Sequence, residues 1–264
     1  MPTAPNPLRR NFLPEHLGPI LARNNFDGSV VVQAATVAEE APWLLGLADE
    51  YSFILGVVAW VDLTDSRLGD VLDALQRHPK FKGVRHPVHD ESDDRWLLRP
   101  DVIAGLRELQ RRGLPYDLLL RPRHLALIPE LVDNVPELRM VIDHIAKPDI
   151  AHRMWEPWAI DIESAAAFPQ IHVKISGMIT EAGRKWTAGD LRPYLQHVLK
   201  LFGVERCMFG SDWPVCLIAG TWKEALAGFT QAHGPIPKEL RAKITGETAA
   251  RFYGLEAPEA IVLQ

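Results

Sequence analysis

Along this chain, short blocks of consecutive apolar residues alternate with stretches in which apolar positions recur every three or four residues. The blocks fall at residues 29–34, 54–61, 81–86, 116–120, 139–144, 171–175 and 206–209, and the first is a β-branched run without polar alternation. Such runs are expected of strands covered on both faces. The periodic stretches predict helices over residues 14–24, 38–51, 68–78, 100–112, 124–134, 158–168 and 191–202, with two more, 222–233 and 238–253, closing the chain. Pro14, Pro100 and Pro237 stand at helix starts, where a missing N–H costs nothing, and Arg112-Gly113 is a helix stop. Residues 1–13 carry three prolines, two arginines and no periodicity, and read as an extended arm.

Strand and helix therefore alternate, with strands about 25 to 35 residues apart, as βα units around a parallel sheet require. Right-handed connections and uniformly apolar strands make a TIM-like (β/α)8 barrel, of the α/β class and forming one domain over residues 1–264, the leading architecture. No strand is followed by GxGxxG or GxxxxGK[ST], so a doubly wound nucleotide-binding sheet is the weaker choice. The count is one short, because seven strands are found where a barrel needs eight. The absent one is the first, since the chain opens on an arm and a helix. A barrel without one parallel strand leaves two unpaired edges beside a hydrophobic interior, a poor physical solution, so either one strand escapes the pattern or Met1 is not the natural start.

Composition narrows the function. At 264 residues, 47% hydrophobic and 24% charged, the chain can bury a large core. A formal net charge of −5 with scattered Lys and Arg argues against nucleic acid or an anionic membrane as partner. The longest nearly unbroken apolar run, residues 53–61, is far short of the ~20 residues that span a bilayer. Cys207 and Cys216 form no CxxC or other zinc-binding spacing, and a reducing cytoplasm is the expected compartment.

The polar residues that end the strands carry the chemistry: Gln33, Asp62, Arg85, His86, Arg121, His144, Lys174 and Asp212. In a barrel these side chains meet at the C-terminal mouth. Asp212, in Phe209-Gly210-Ser211-Asp212-Trp213-Pro214, is by itself equally suited to bonding turn amides. Convergence favours chemistry: two histidines, two arginines and a lysine around one acid suit an anionic or polyhydroxylated substrate and its hydrolysis, with the carboxylate taking a proton from water. Trp186 and Trp213 are candidates to stack on a sugar face, though core packing is the expected role for most of the eight tryptophans. No GxSxG elbow supports a serine nucleophile.

Five segments carry a family resemblance: Phe81-Lys82-Gly83-Val84-Arg85-His86, Ile142-Asp143-His144-Ile145-Ala146-Lys147-Pro148, Val173-Lys174-Ile175-Ser176-Gly177, the Asp212 hexapeptide, and Gly246-Glu247-Thr248-Ala249-Ala250-Arg251-Phe252-Tyr253. Over residues 9–255 the chain resembles the amidohydrolase-related family of the amidohydrolase superfamily, in its sugar-lactonase branch. The resemblance implies a distorted barrel in which Asp212 activates the hydrolytic water. It implies that His144 polarises the substrate carbonyl or joins a metal site, and that Arg85 and His86 contact substrate. Lys174 falls at a position that serves either as substrate contact or as ion-pair partner. With Arg121 and Trp213, these are the expected substrate-binding residues. The family's initial strand ends in a His-x-His pair that this sequence lacks, which matches the missing strand and carries the expectation that the chain starts at an internal methionine.

Without that pair, His144 and Asp212, with His86 as a further imidazole, are a thin ligand set for zinc, which commonly takes three protein ligands and a water. The expected cofactor is therefore none, or a single divalent metal such as zinc. The expected substrate is a small sugar-acid lactone. The alternatives are a metal-dependent decarboxylase on the same barrel and an inactive truncated barrel.

Overall fold

The computed structural model describes residues 6–256. In chain order its elements begin with α1 (Pro14–Arg23), β1 (Ser29–Val32), α2 (Glu40–Glu50), β2 (Ile54–Ala59), α3 (Leu68–Leu75), β3 (Phe81–His86), α4 (Pro100–Arg111) and β4 (Tyr116–Leu118). Then come α5 (Pro122–Leu125), α6 (Ile128–Asn134), β5 (Met140–Ile142), α7 (Trp158–Ala166), β6 (Ile171–Ile175), α8 (Met178–Ala182), α9 (Ala188–Phe202) and β7 (Cys207–Phe209). The chain closes with α10 (Trp222–His233), α11 (Lys238–Ala242) and α12 (Thr248–Tyr253). All seven expected strands are present, in one parallel sheet whose spatial order is the sequence order.

The sheet curls as a distorted, incomplete TIM-type barrel. Its convex side packs against the helices in one large apolar cluster that includes Leu45, Leu72, Leu106, Leu131, Ile162 and Leu195. Inside the curl, Val58, Val141 and Met208 pack on Phe252 and Tyr253, with Val30 and Val32 against them. The C-terminal helix α12 thus fills the floor of the barrel. The Arg139 guanidinium donates to the Phe252 carbonyl, and Lys82 Nζ donates to that of Gly254 at 2.8 Å, pinning the chain end beneath the strand starts. Among the described residues β1 and β7 do not pair with each other, and the Phe26 ring lies 6.0 Å from Phe209 and 5.0 Å from Trp222 beside that seam.

Several element ends lie two or three residues inside the expected bounds, and four differences have a distinct local cause. The strand expected to run to His144 ends at Ile142, because the backbone turns left-handed there. The helix expected over 124–134 is two helices, the second entered through Pro129. Helix α9 starts earlier than expected, at a capping box in which Thr187 and Asp190 satisfy each other's backbone N–H. The last helix is interrupted by a π-turn, Lys243–Glu247, which contains Gly246 and in which Thr245 Oγ1 bonds back to the Arg241 carbonyl at 2.9 Å. No helix of the described residues is long and apolar enough to cross a membrane.

Candidate active site

The site begins where β5 ends. His144, Ile145, Ala146 and Lys147 all have positive φ (54°, 47°, 60° and 53°), a left-handed turn that costs roughly 1 kcal/mol or more at each non-glycine residue. Its surroundings determine it. The buried Trp158 indole donates to the Ile145 carbonyl at 2.7 Å, and Lys147 N closes the turn on the His144 carbonyl at 2.8 Å. Gly177, at φ 65°, allows the close approach from β6, since a Cβ there would stand 2.8 Å from that of His144. The turn aims His144 at the mouth with Nδ1 2.8 Å from Ser176 Oγ and Nε2 3.6 Å from Asp212 Oδ1. Asp212 also has a left-handed backbone, φ 56°, three residues after β7 ends at Phe209. Burial lowers the His144 pKa and outweighs the opposing pull of Asp212 and Asp143, so the ring is neutral near pH 7. The 3.6 Å separation is close enough for one water molecule to be held by both side chains.

Beneath this pair lies a buried ionic network. Lys174 Nζ sits 2.5 Å from Asp117 Oδ2 and 2.7 Å from Asp143 Oδ1. Asp143 Oδ2 receives Arg85 Nη1 at 2.8 Å, and Arg85 Nη2 reaches the Gln33 side-chain oxygen at 3.0 Å and its carbonyl. The Tyr253 hydroxyl stands 2.9 Å from both Asp117 oxygens, tying the barrel floor to the network. Two cations thus face two buried carboxyls, and burial raises the Asp117 pKa against the opposing pull of Lys174 and of the Tyr253 hydroxyl. Burial pushes the Asp143 carboxyl up, but Lys174 and Arg85 outweigh it and hold the carboxyl well below the usual carboxylate range. Burial raises the Lys174 cost of ionising, yet Asp117 and Asp143 keep its pKa raised and the ammonium charged.

The rim gathers other groups. His86 Nδ1 accepts from the Trp60 indole at 3.0 Å, its Nε2 meets Glu91 Oε1 at 2.6 Å, and the ring stacks on Trp96 at 4.0 Å. Both of its nitrogens are therefore engaged within the wall. The Trp213 ring stands edge-on to Phe12 of the N-terminal arm, 5.3 Å away. Arg121 is exposed, and its charge acts on His89 and Glu181. Burial, with Lys147 next in effect, lowers the His89 pKa to about 4, and its buried Nδ1 has no hydrogen-bond partner.

The structure thus brings His144 and Asp212 together and places Arg85 and Lys174 directly below them. It sets Arg121, Trp213 and His86 around the mouth, with His86 held by its neighbours. Sequence reasoning passed over Asp117, Ser176, Tyr253, His89 and Lys147 as site residues. Asp117 did leave a signal, as the single acid in the apolar block 116–120.

A metal would find His144 Nε2 and the Asp212 carboxylate here. Among the described residues no group of three or more His, Cys, Asp and Glu side chains is arranged to hold an ion, whereas catalytic zinc takes three protein ligands. The donors present do not fit such a centre.

Residues 1–255 match the amidohydrolase family, and the chain belongs to it. It is 36% identical over 256 residues to an L-fucono-1,5-lactonase of Burkholderia ambifaria, covering 94% of this chain and 87% of that protein. An L-fucono-1,5-lactonase of Burkholderia multivorans is 34% identical over 263 residues, covering 95% and 88%. An amidohydrolase from Burkholderia multivorans, solved with bound HEPES and with bound zinc, superposes with TM-scores of 0.89 and 0.87 at 32% and 33% identity. Each superposition covers 94% of this chain, and 91% and 90% of that one respectively. Within the family the chain is a hydrolase of the lactonase branch to which its sequence points.

Proposed function

We propose that this protein hydrolyses the 1,5-lactone of a six-carbon deoxy sugar acid, L-fucono-1,5-lactone being the first substrate to try, with Asp212 as general base. The single observation that carries this reading is the pairing of Asp212 with a neutral His144 at 3.6 Å, in a family member more than 30% identical to two L-fucono-1,5-lactonases.

In this mechanism the Ser176 hydroxyl donates to His144 Nδ1, which fixes the tautomer with a proton on Nε2. That N–H donates to the lactone carbonyl oxygen and stabilises the charge that grows there. Asp212 takes a proton from water as the water oxygen attacks the carbonyl carbon. Collapse of the tetrahedral intermediate then breaks the bond to the ring oxygen. Arg121 and Trp213 hold the sugar, the first through its hydroxyls and the second through its ring face. Arg85 and Lys174 act from below, as the ion-pair frame that fixes Asp143 and hence the turn bearing His144. His86 shapes the wall through Trp60, Glu91 and Trp96. An indicator assay across five- and six-membered aldonolactones tests the reading: turnover is expected for the six-membered deoxy compound, and no turnover across the panel would refute it.

A further inference from the structure

A general base must be held where its oxygen faces the attacking water, and little holds Asp212 directly. Its carboxylate forms no hydrogen bond among the described residues, since the 3.6 Å to His144 Nε2 is longer than one. The backbone beneath it is left-handed, φ 56°, a conformation that a non-glycine residue keeps only where its surroundings impose it. Strand β7 has ended three residues earlier, so the sheet does not impose it. Cys216 N donates to the Asp212 carbonyl at 2.8 Å and Trp213 N to Ser211 Oγ at 3.2 Å, but both bonds lie within the loop and turn with it.

The next side chain ties the loop to the rest of the fold. Trp213 is half-buried against the main apolar cluster, and its ring meets that of Phe12 with centroids 5.3 Å apart and planes at 89°. Aromatic pairs favour this edge-to-face geometry, which fixes how both rings face. Phe12 is half-buried too, and the Arg10 guanidinium lies 4.6 Å over its ring. The arm that carries Phe12 is held by bonds on either side. Arg9 N donates to the Asn6 carbonyl at 3.1 Å and Leu8 N to Asn6 Oδ1 at 3.0 Å, closing a turn. Leu13 N donates to His16 Nδ1 at 3.0 Å, His16 N returns to the Leu13 carbonyl at 2.9 Å, and Pro14 then enters α1. Phe12 belongs to the chain that leads into β1, and Trp213 to the chain that leaves β7. The pair therefore clasps the sheet across the seam where, among the described residues, β1 and β7 do not pair.

We propose that Phe12 is a positioning residue for Asp212: by clamping the Trp213 ring, the N-terminal arm holds the base in line with His144. This rests on the lactonase reading, in which Asp212 takes a proton from water. Asp212 and Trp213 share a peptide bond, so a turn of the Trp213 backbone and ring carries the carboxylate with it. A displacement of about 1 Å at a reacting group costs up to about 100-fold in rate. Phe12 itself exchanges no proton, and its effect passes through Trp213. Leucine cannot replace it, since an aliphatic side chain fills the volume without an aromatic edge or face.

The test compares the parent enzyme with Phe12→Leu, which keeps the apolar bulk, and Phe12→Tyr, which keeps the ring. With L-fucono-1,5-lactone, Phe12→Leu is expected to lower kcat about 10-fold or more while Tm stays within a few degrees, and Phe12→Tyr to stay within about two-fold of the parent. In a Trp213→Leu background, Phe12→Leu should add less than about two-fold, because the two rings act as one unit. Nitrogen-15 NMR of the His144 ring, assigned by loss of its signals in His144→Gln, reads the neighbouring carboxylate without turnover. Asp212→Asn defines the displacement of those signals when the charge is lost, and Phe12→Leu and Trp213→Leu are expected to move them the same way. Unmoved His144 signals in Phe12→Leu, a parent-like kcat, or losses that multiply in the double variant would overturn the proposal. If the parent opens no lactone, the lactonase reading fails alone, because the nitrogen signals still decide whether Phe12 positions Asp212.

Discussion

Replacing Gly177 by alanine tests the idea that the site is held in a strained turn by close packing. Gly177 has φ 65°, which alone costs an alanine about 1 kcal/mol. The added methyl would also stand 2.8 Å from His144 Cβ and 3.0 Å from its Cγ, closer than side-chain atoms tolerate. His144 has little room to yield, since Ser176 and the Trp158 bond to Ile145 fix its turn. Overpacking of this kind costs about 1–3 kcal/mol more. Gly113 is the internal control, with φ 68° and nothing within 4 Å of where a methyl would stand, so Gly113→Ala carries the backbone cost alone. For a domain of this size each kcal/mol lowers Tm by about 2–4 °C. Differential scanning calorimetry should therefore show Gly177→Ala down by roughly 4–16 °C and Gly113→Ala by roughly 2–4 °C. Lactone kinetics should show kcat down roughly 10- to 100-fold for Gly177→Ala, because an ångström of misplacement has that effect, and unchanged for Gly113→Ala. If the two variants behave alike in both assays, the contact with His144 does not hold the site.

Three further outcomes follow from the buried charges. Lys174→Met strands Asp117 and Asp143 without their shared cation and should cost about 3–5 kcal/mol in urea unfolding, whereas a change below about 1 kcal/mol would show that the network adds little. Tyr253→Phe removes the hydroxyl beside Asp117 and should cost about 1–3 kcal/mol with kcat nearly intact, since Tyr253 lies at the floor and not at the mouth. Burial lowers both His89 and His172 to about 4, below the unfolded value of 6.5, so between these values the unfolded chain binds more protons than the native one. Stability should then fall as pH drops from 6.5 towards 4, by at most about 3 kcal/mol per histidine, and His172→Gln should flatten that slope.

The strands were legible because apolar residues dominate most of them, with β4 and β5 fully buried and β2 nearly so, and all seven appear where the pattern puts them. The mouth followed from parallel topology, which brought His144, Asp212, Arg85 and Lys174 into one region. What the sequence did not show depends on contacts between distant residues. The left-handed turn at His144–Lys147 is imposed by Trp158 and by the absence of a side chain at Gly177, and neither is visible in local propensity. The choice left open for Lys174, between substrate contact and ion-pair partner, turns on Asp117 and Asp143, which come from other strands. His86 reads as a free strand-end imidazole until Trp60, Glu91 and Trp96 are seen around it.

Whether Asp212 activates water beside a neutral His144 is decided by kcat for L-fucono-1,5-lactone hydrolysis in Asp212→Asn, measured alongside the Tm of the variant. Loss of a general base should lower kcat at least 100-fold while Tm stays within a few degrees of the parent. An asparagine variant that folds normally and turns over at the parent rate would contradict that role for Asp212.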